Sequence, residues 1–109
     1  MNITMLEIEL QERGFKSYDL SNDKVYDTVD LLNDDLMVMC DFSYYKVMVD
    51  YRSDSNDYEI TDLYCTGDEM GDQSFITDDE EEVLSICVYL TEEARIKSQL
   101  ESAFNAVSV

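Results

Sequence analysis

Residues 77–90 read TDDEEEVLSICVYL: five consecutive carboxylates, then a run dominated by apolar residues. How that run is assigned decides the kind of fold. Thr77 and Glu80 have the spacing of a capping box, in which the threonine hydroxyl and the glutamate satisfy free N–H groups of a helix start. Acids in a first helical turn also face the positive end of the helix dipole, at about 0.3–1 kcal/mol each. Val83, Cys87 and Leu90, then Ile96, Leu100 and Phe104, form an apolar stripe with a phase shift near Thr91. The segment VLSICVYL is also continuous and partly β-branched, which suits a buried strand. The stripe favours a long helix, bent or restarted at Thr91, with Glu81 and Glu82 past the cap.

Towards the N-terminus, Thr4-x-x-Glu7 is another capping box, followed by Leu6, Ile8 and Leu10 and closed by Gly14. Ser21 is placed to cap a second short helix, with Val25, Val29 and Leu32 at i, i+4 and i+7. After Asn33-Asp34-Asp35 the period changes. LMVMCDF (36–42) and YKVMVDY (45–51) are rich in β-formers, with space at 43–44 for a tight hairpin. SDSND (53–57) is turn chemistry, and YEITDLYC (58–65) predicts a strand, bulged where the alternation slips at Thr61-Asp62. A polar loop, TGDEMGD (66–72), and a short strand around SFIT lead back to Thr77. The expected fold is therefore α+β and forms a single domain over residues 1–109. It has N-terminal helices, a three- to four-stranded antiparallel sheet and a long C-terminal helix, with the helices on one face.

The charge is the unusual feature. Twenty-six acids against seven bases give a net −19, yet 45% of the chain is hydrophobic, too much for a disordered acidic tail. The excess is localised. Residues 17–94 hold 22 acids with only Lys24, Lys46 and Arg52, whereas the two ends cancel.

That composition excludes several chemistries. With no histidine there is no Ser-His or Cys-His nucleophile pair and no imidazole ligand for zinc. Cys40, Cys65 and Cys87 lack paired metal-ligand spacing, and read as reduced thiols of a cytoplasmic protein without a signal peptide. Gly67 and Gly71 make no phosphate-cradling loop. DSNDYE (54–59) and GDEMGDQ (67–73) offer oxygens for calcium, but neither keeps the register of an EF-hand loop. The chain is expected to be no enzyme, to need no cofactor or metal, and to bind neither membrane nor nucleic acid directly. A surface that repels DNA instead attracts proteins that bind DNA.

Carboxylates two apart on a strand lie about 6.6 Å apart, and those three or four apart on a helix about 5–6 Å. A duplex carries one negative charge per about 1.7 Å of axis, and two parallel rows on one protein face approach its phosphate pattern closely enough for flexible Lys and Arg partners. The candidate partner-binding residues are Asp27 and Asp30 (with Asp34) on the second helix, Asp50, Asp54, Asp57, Tyr58 and Glu59 around the turn, and Glu81 and Glu82 on the long helix. The turn group is favoured because charge and tyrosine coincide there.

YLTEEAR (89–95), followed by KSQLESA (97–103), is similar to the closing helix of an acidic family that inhibits type I CRISPR surveillance complexes. In size, charge and element order the chain resembles the small phage-encoded anti-CRISPR and anti-restriction inhibitors. That resemblance implies a cytoplasmic inhibitor that occupies the Lys/Arg surface of a host defence protein, with carboxylates in place of phosphates. The alternative is a phage or accessory protein that binds its partner by other means, as an allosteric inhibitor or adaptor.

Overall fold

The computed structural model describes residues 4–20, 23–28, 44–66 and 69–107. In chain order the elements are α1 (Met5–Glu12), β1 (Phe15–Leu20), β2 (Asp23–Thr28), β3 (Tyr44–Arg52), β4 (Asp57–Thr66), β5 (Glu69–Thr77) and α2 (Glu80–Val107). The fold is α+β, and among the described residues its sheet has five antiparallel strands in the order β1-β2-β3-β4-β5, rather than three or four.

The Thr4 hydroxyl caps α1 by accepting the Glu7 N–H at 3.2 Å. The reciprocal half of the box is not made, because the Glu7 carboxylate turns to Lys24 and Tyr26. Gly14 follows the helix at φ 85°, the left-handed conformation that glycine adopts without a Cβ penalty.

Among the described residues, the segment expected to begin a second helix is a strand instead. Residues 23–28 form β2, paired with β1 along its length and with β3 at Val25↔Asp50, Tyr26↔Val49 and Asp27↔Met48. Beyond that ladder the Thr28 hydroxyl both accepts the Val47 N–H and donates to the Val47 carbonyl, each at 3.3 Å. The spacing of Val25, Val29 and Leu32 suggested a helix, but strand pairing satisfies the backbone here. LMVMCDF, Ser21, Val29, Leu32, Asp30, Asp34, Cys40 and Ser43 lie outside the described residues, whereas Tyr44, the other position of the proposed hairpin, is already the first residue of β3 and pairs with Cys65.

YKVMVDY falls in β3 and YEITDLYC in β4 as expected, joined through a turn at 53–56 in which Asn56 takes φ 54°. The β3–β4 register is unbroken from Tyr44↔Cys65 to Arg52↔Asp57, so β4 has no bulge at Thr61-Asp62. The slip in its alternation has another source: Asp62 sits on the same face as Ile60. The expected loop at 66–72 is mostly strand, since β5 runs nine residues from Glu69 and pairs continuously with β4. Gly71 permits this, because the Tyr64 ring lies where a Cβ would be.

α2 is one continuous helix through Thr91, whose hydroxyl bonds back to the Cys87 and Val88 carbonyls. Its cap is Asp79 rather than Thr77: Asp79 Oδ1 accepts the Glu81 N–H at 3.0 Å and the Asp79 carbonyl accepts the Val83 N–H at 3.0 Å. Thr77 is the last residue of β5, buried opposite Tyr58, and its hydroxyl accepts from Asp79 N–H and donates to Glu82. Strand pairing took the threonine the capping box required.

Both helices lie on one face of the sheet. Leu6 and Leu10 of α1 and Val83, Cys87 and Leu90 of α2 pack on Phe15, Tyr26, Val47, Val49 and Ile60. Burial desolvates the Cys87 thiol and pushes it up to about 12, so it behaves as a small core hydrophobe. Among the described residues, no helix is long and apolar enough to cross a membrane.

Candidate functional site on the open sheet face

Alternation sends every second strand residue to the face opposite the helices. The register then sets a row straight across the five strands: Tyr18, Val25, Asp50, Glu59 and Ile76. Its two ends are exposed apolar side chains, Tyr18 at 43% and Ile76 at 58%, and Leu20 at 64% lies next to Tyr18 on the same face. Its centre is two carboxylates directly opposite one another. Like charges in that position destabilise a sheet.

The neighbours only partly relieve them. Asp50 is half-buried, and its carboxyl is raised above the ordinary value first by burial, then by the charges of Asp23 and Glu59, with Arg52 opposing. The Arg52 guanidinium is committed mainly to Asp57, its cross-strand partner, in a two-pronged contact at 2.7 and 2.8 Å. It reaches Glu59 only at 3.6 Å. Asp23 is tied to the turn, where its Oδ1 accepts the Ser53 N–H at 2.9 Å, and this holds its carboxyl low.

The candidate partner-binding residues are distributed over both faces of the sheet and the start of α2. Asp27 is on the open face of β2 and pairs with Lys46 at 2.6 Å, while its Oδ1 is buried with no hydrogen-bond partner among the described residues. Asp50 and Glu59 meet at the centre of the same face. Asp57 is held by Arg52 at the hairpin end, and Asp54 is exposed at the turn. Tyr58 points the other way, towards the helices, with its hydroxyl donating to Glu80 Oε1 at 3.1 Å and its ring 5.0 Å from that of Tyr51. Glu81 is exposed at the start of α2, and Glu82 accepts from Thr77. The turn group therefore separates onto two faces, because consecutive strand residues alternate.

Asp23, Tyr18, Leu20 and Ile76 belong to this surface and were not expected. Tyr18 and Leu20 alternate within FKSYDL, which is a strand signal, but recognising the row requires knowing β1 and β2 as a hairpin. Among the described residues, no three thiol or carboxylate side chains converge to hold a metal ion.

No family model, curated protein or solved structure matches the chain.

Proposed function

We propose that the protein is an acidic inhibitor that binds a basic, nucleic-acid-binding partner through the open sheet face and excludes DNA from it. The observation that carries this reading is the Asp50–Glu59 pair at the centre of that face. Folding alone gains nothing from two carboxylates directly opposite one another, whereas a partner's lysine or arginine between them would relieve the repulsion. Neighbouring strands lie about 4.8 Å apart and alternate residues about 6.6 Å, so Asp23, Asp50 and Glu59 present charge at separations that flexible basic side chains accept in place of phosphates. The flanking Tyr18, Leu20 and Ile76 supply apolar contact area, and tyrosine is common at such interfaces. The resemblance of size, charge and closing helix points to a phage-encoded protein acting in the host cytoplasm on a CRISPR surveillance complex or a restriction enzyme.

A second reading, an adaptor or allosteric inhibitor, draws on the same apolar side chains. It would bind mainly through Leu20 and Ile76, with little dependence on charge.

The test is competition at two salt concentrations against the protein captured from host lysate. Under the first reading the captured protein binds DNA, the inhibitor displaces that DNA, and affinity falls steeply with salt. Asp50→Lys with Glu59→Lys restores DNA binding, while Glu81→Lys changes mainly the association rate. Affinity unchanged by salt and by the double reversal, but lost on Leu20→Ser with Ile76→Ser, selects the adaptor.

A further inference from the structure

The N-termini of both helices meet the sheet at one end, on the face opposite the acidic row. Thr4, Glu7, Lys24, Tyr26, Tyr51, Tyr58 and Glu80 line a cleft of about 320 Å3 there. That volume is at the small end of ligand sites and suits one side chain rather than a cofactor.

Helix N-termini ordinarily attract anions. Here the chain supplies its own, Glu7 in the first turn of α1 and Glu80 at the start of α2. Each carboxylate is oriented by a tyrosine hydroxyl: Tyr26 donates to Glu7 Oε1 at 2.7 Å and Tyr58 to Glu80 Oε1 at 3.1 Å. Burial and then the adjoining carboxylate keep the Tyr26 hydroxyl protonated well above the ordinary phenol range, and burial with Glu80 does the same for Tyr58. Both remain donors at any working pH. Against the two carboxylates the lining holds, among the described residues, one ammonium, Lys24, whose Nζ lies 2.6 Å from Glu7 Oε1. Its side chain is 46% exposed, while that of Glu7 is only 14% exposed. The carboxylate is therefore built into the wall, and the ammonium reaches it from solvent.

We infer that this cleft is a receptor for a single ammonium group on a flexible stem, a lysine side chain of a binding partner, with Lys24 as an internal and displaceable occupant. A cation entering the cleft meets Glu80 on one wall and the rings of the tilted Tyr51–Tyr58 pair, and aromatic rings attract ammonium groups placed over their faces. It can also take Glu7 from Lys24, because the ammonium end of that pair is open to solvent and its attraction is screened by salt. The inference rests on the proposed function for the basic character of the partner. It concerns a different face, so the two can fail separately.

The probe is N-acetyl-lysine amide, with N-acetyl-norleucine amide as the uncharged control, followed by NMR of the tyrosine ring signals. The lysine probe shifts Tyr26, Tyr51 and Tyr58 saturably, and the norleucine probe does not. Lys24→Ala binds the lysine probe about 3-fold or more tighter than Lys16→Ala, which loses the same charge elsewhere. Glu80→Gln, which keeps the acceptor for Tyr58, weakens binding about 3-fold or more relative to Glu81→Gln. Melting temperatures confirm that the variants are folded. Equal effects within each matched pair, or shifts spread evenly over the tyrosines, would overturn the site and leave only attraction by net charge. These outcomes do not depend on whether reversing Asp50 and Glu59 restores DNA binding, so each result addresses its own face.

Discussion

Replacing Asp50 with asparagine should stabilise the protein. The substitution keeps the shape of the side chain and removes one of two charges placed directly opposite each other at the centre of the sheet. Such pairs cost about 0.2–1 kcal/mol. The Asp23 charge adds to the repulsion and Arg52 subtracts from it, so a gain of about 0.5–1 kcal/mol at pH 7 is expected. For a domain near this size that corresponds to a rise in Tm of about 2–6 °C. The pH dependence has a definite sign. The folded carboxyl of Asp50 lies above the ordinary value of 3.8, so within that window the folded state binds more proton than the unfolded one. Stability contributed at this position therefore falls as pH rises through the window. Below 3.8 the carboxyl is neutral in both states, and the advantage of asparagine should fade. Urea denaturation of both proteins at pH 7 and pH 3, followed by circular dichroism, measures this directly. Glu59→Gln should gain less, because it also gives up the 3.6 Å approach of Arg52. An asparagine variant no more stable than the parent at pH 7, or equally favoured at pH 3, would refute the like-charge argument.

Three further outcomes follow from particular contacts. Asp79→Ala removes the side-chain cap of α2 and should cost about 0.5–2 kcal/mol in urea denaturation, whereas Glu81→Ala should change little. Tyr26→Phe loses a hydrogen bond to a carboxylate and should cost about 1.5–3 kcal/mol at pH 7. The Lys24 and Tyr26 contacts hold the Glu7 carboxyl below its ordinary 4.5, so their contribution is complete above 4.5 and is lost as pH falls through the lowered value; the penalty of the phenylalanine variant should shrink with it. Cys87, buried and with its thiol pushed up to about 12, should stay unmodified by a thiol reagent at pH 8 until denaturant is added, as read by peptide mass mapping.

Much of the fold was legible because it is written in local signals. The Thr4 cap, Gly14, the SDSND turn and the apolar stripe from Val83 each specify backbone geometry within a few residues. Together with the β-former runs at 45–51 and 58–65 and the short strand around SFIT, those signals placed α1, α2, β3, β4, the end of β5 and the α+β class. Where they failed, a distant partner decided. Residues 23–28 carry apolar spacing compatible with a helix, and become a strand because β1 and β3 pair with them on either side. Thr77 fits a capping box by spacing, yet β5 extends to it and buries it, which leaves the cap to Asp79.

The candidate sites show the same division more sharply. Composition fixed the acidity, its confinement to residues 17–94 and the absence of histidine chemistry, since these depend only on which residues are present. Spacing along the chain could not say which carboxylates share a surface. Asp57, Tyr58 and Glu59 are consecutive, yet they end respectively on Arg52, on Glu80 and opposite Asp50. Asp50 and Glu59 stand nine positions apart and become direct neighbours only when the β3–β4 hairpin closes. Glu7, Tyr26, Tyr58 and Glu80 come from four elements and form a cleft only once both helices dock at the same end of the sheet. Net charge is a sum over residues and survives any arrangement of the chain. The opposition of two charges, or the enclosure of a cleft, is a property of strand register and helix docking, which long-range pairing alone determines.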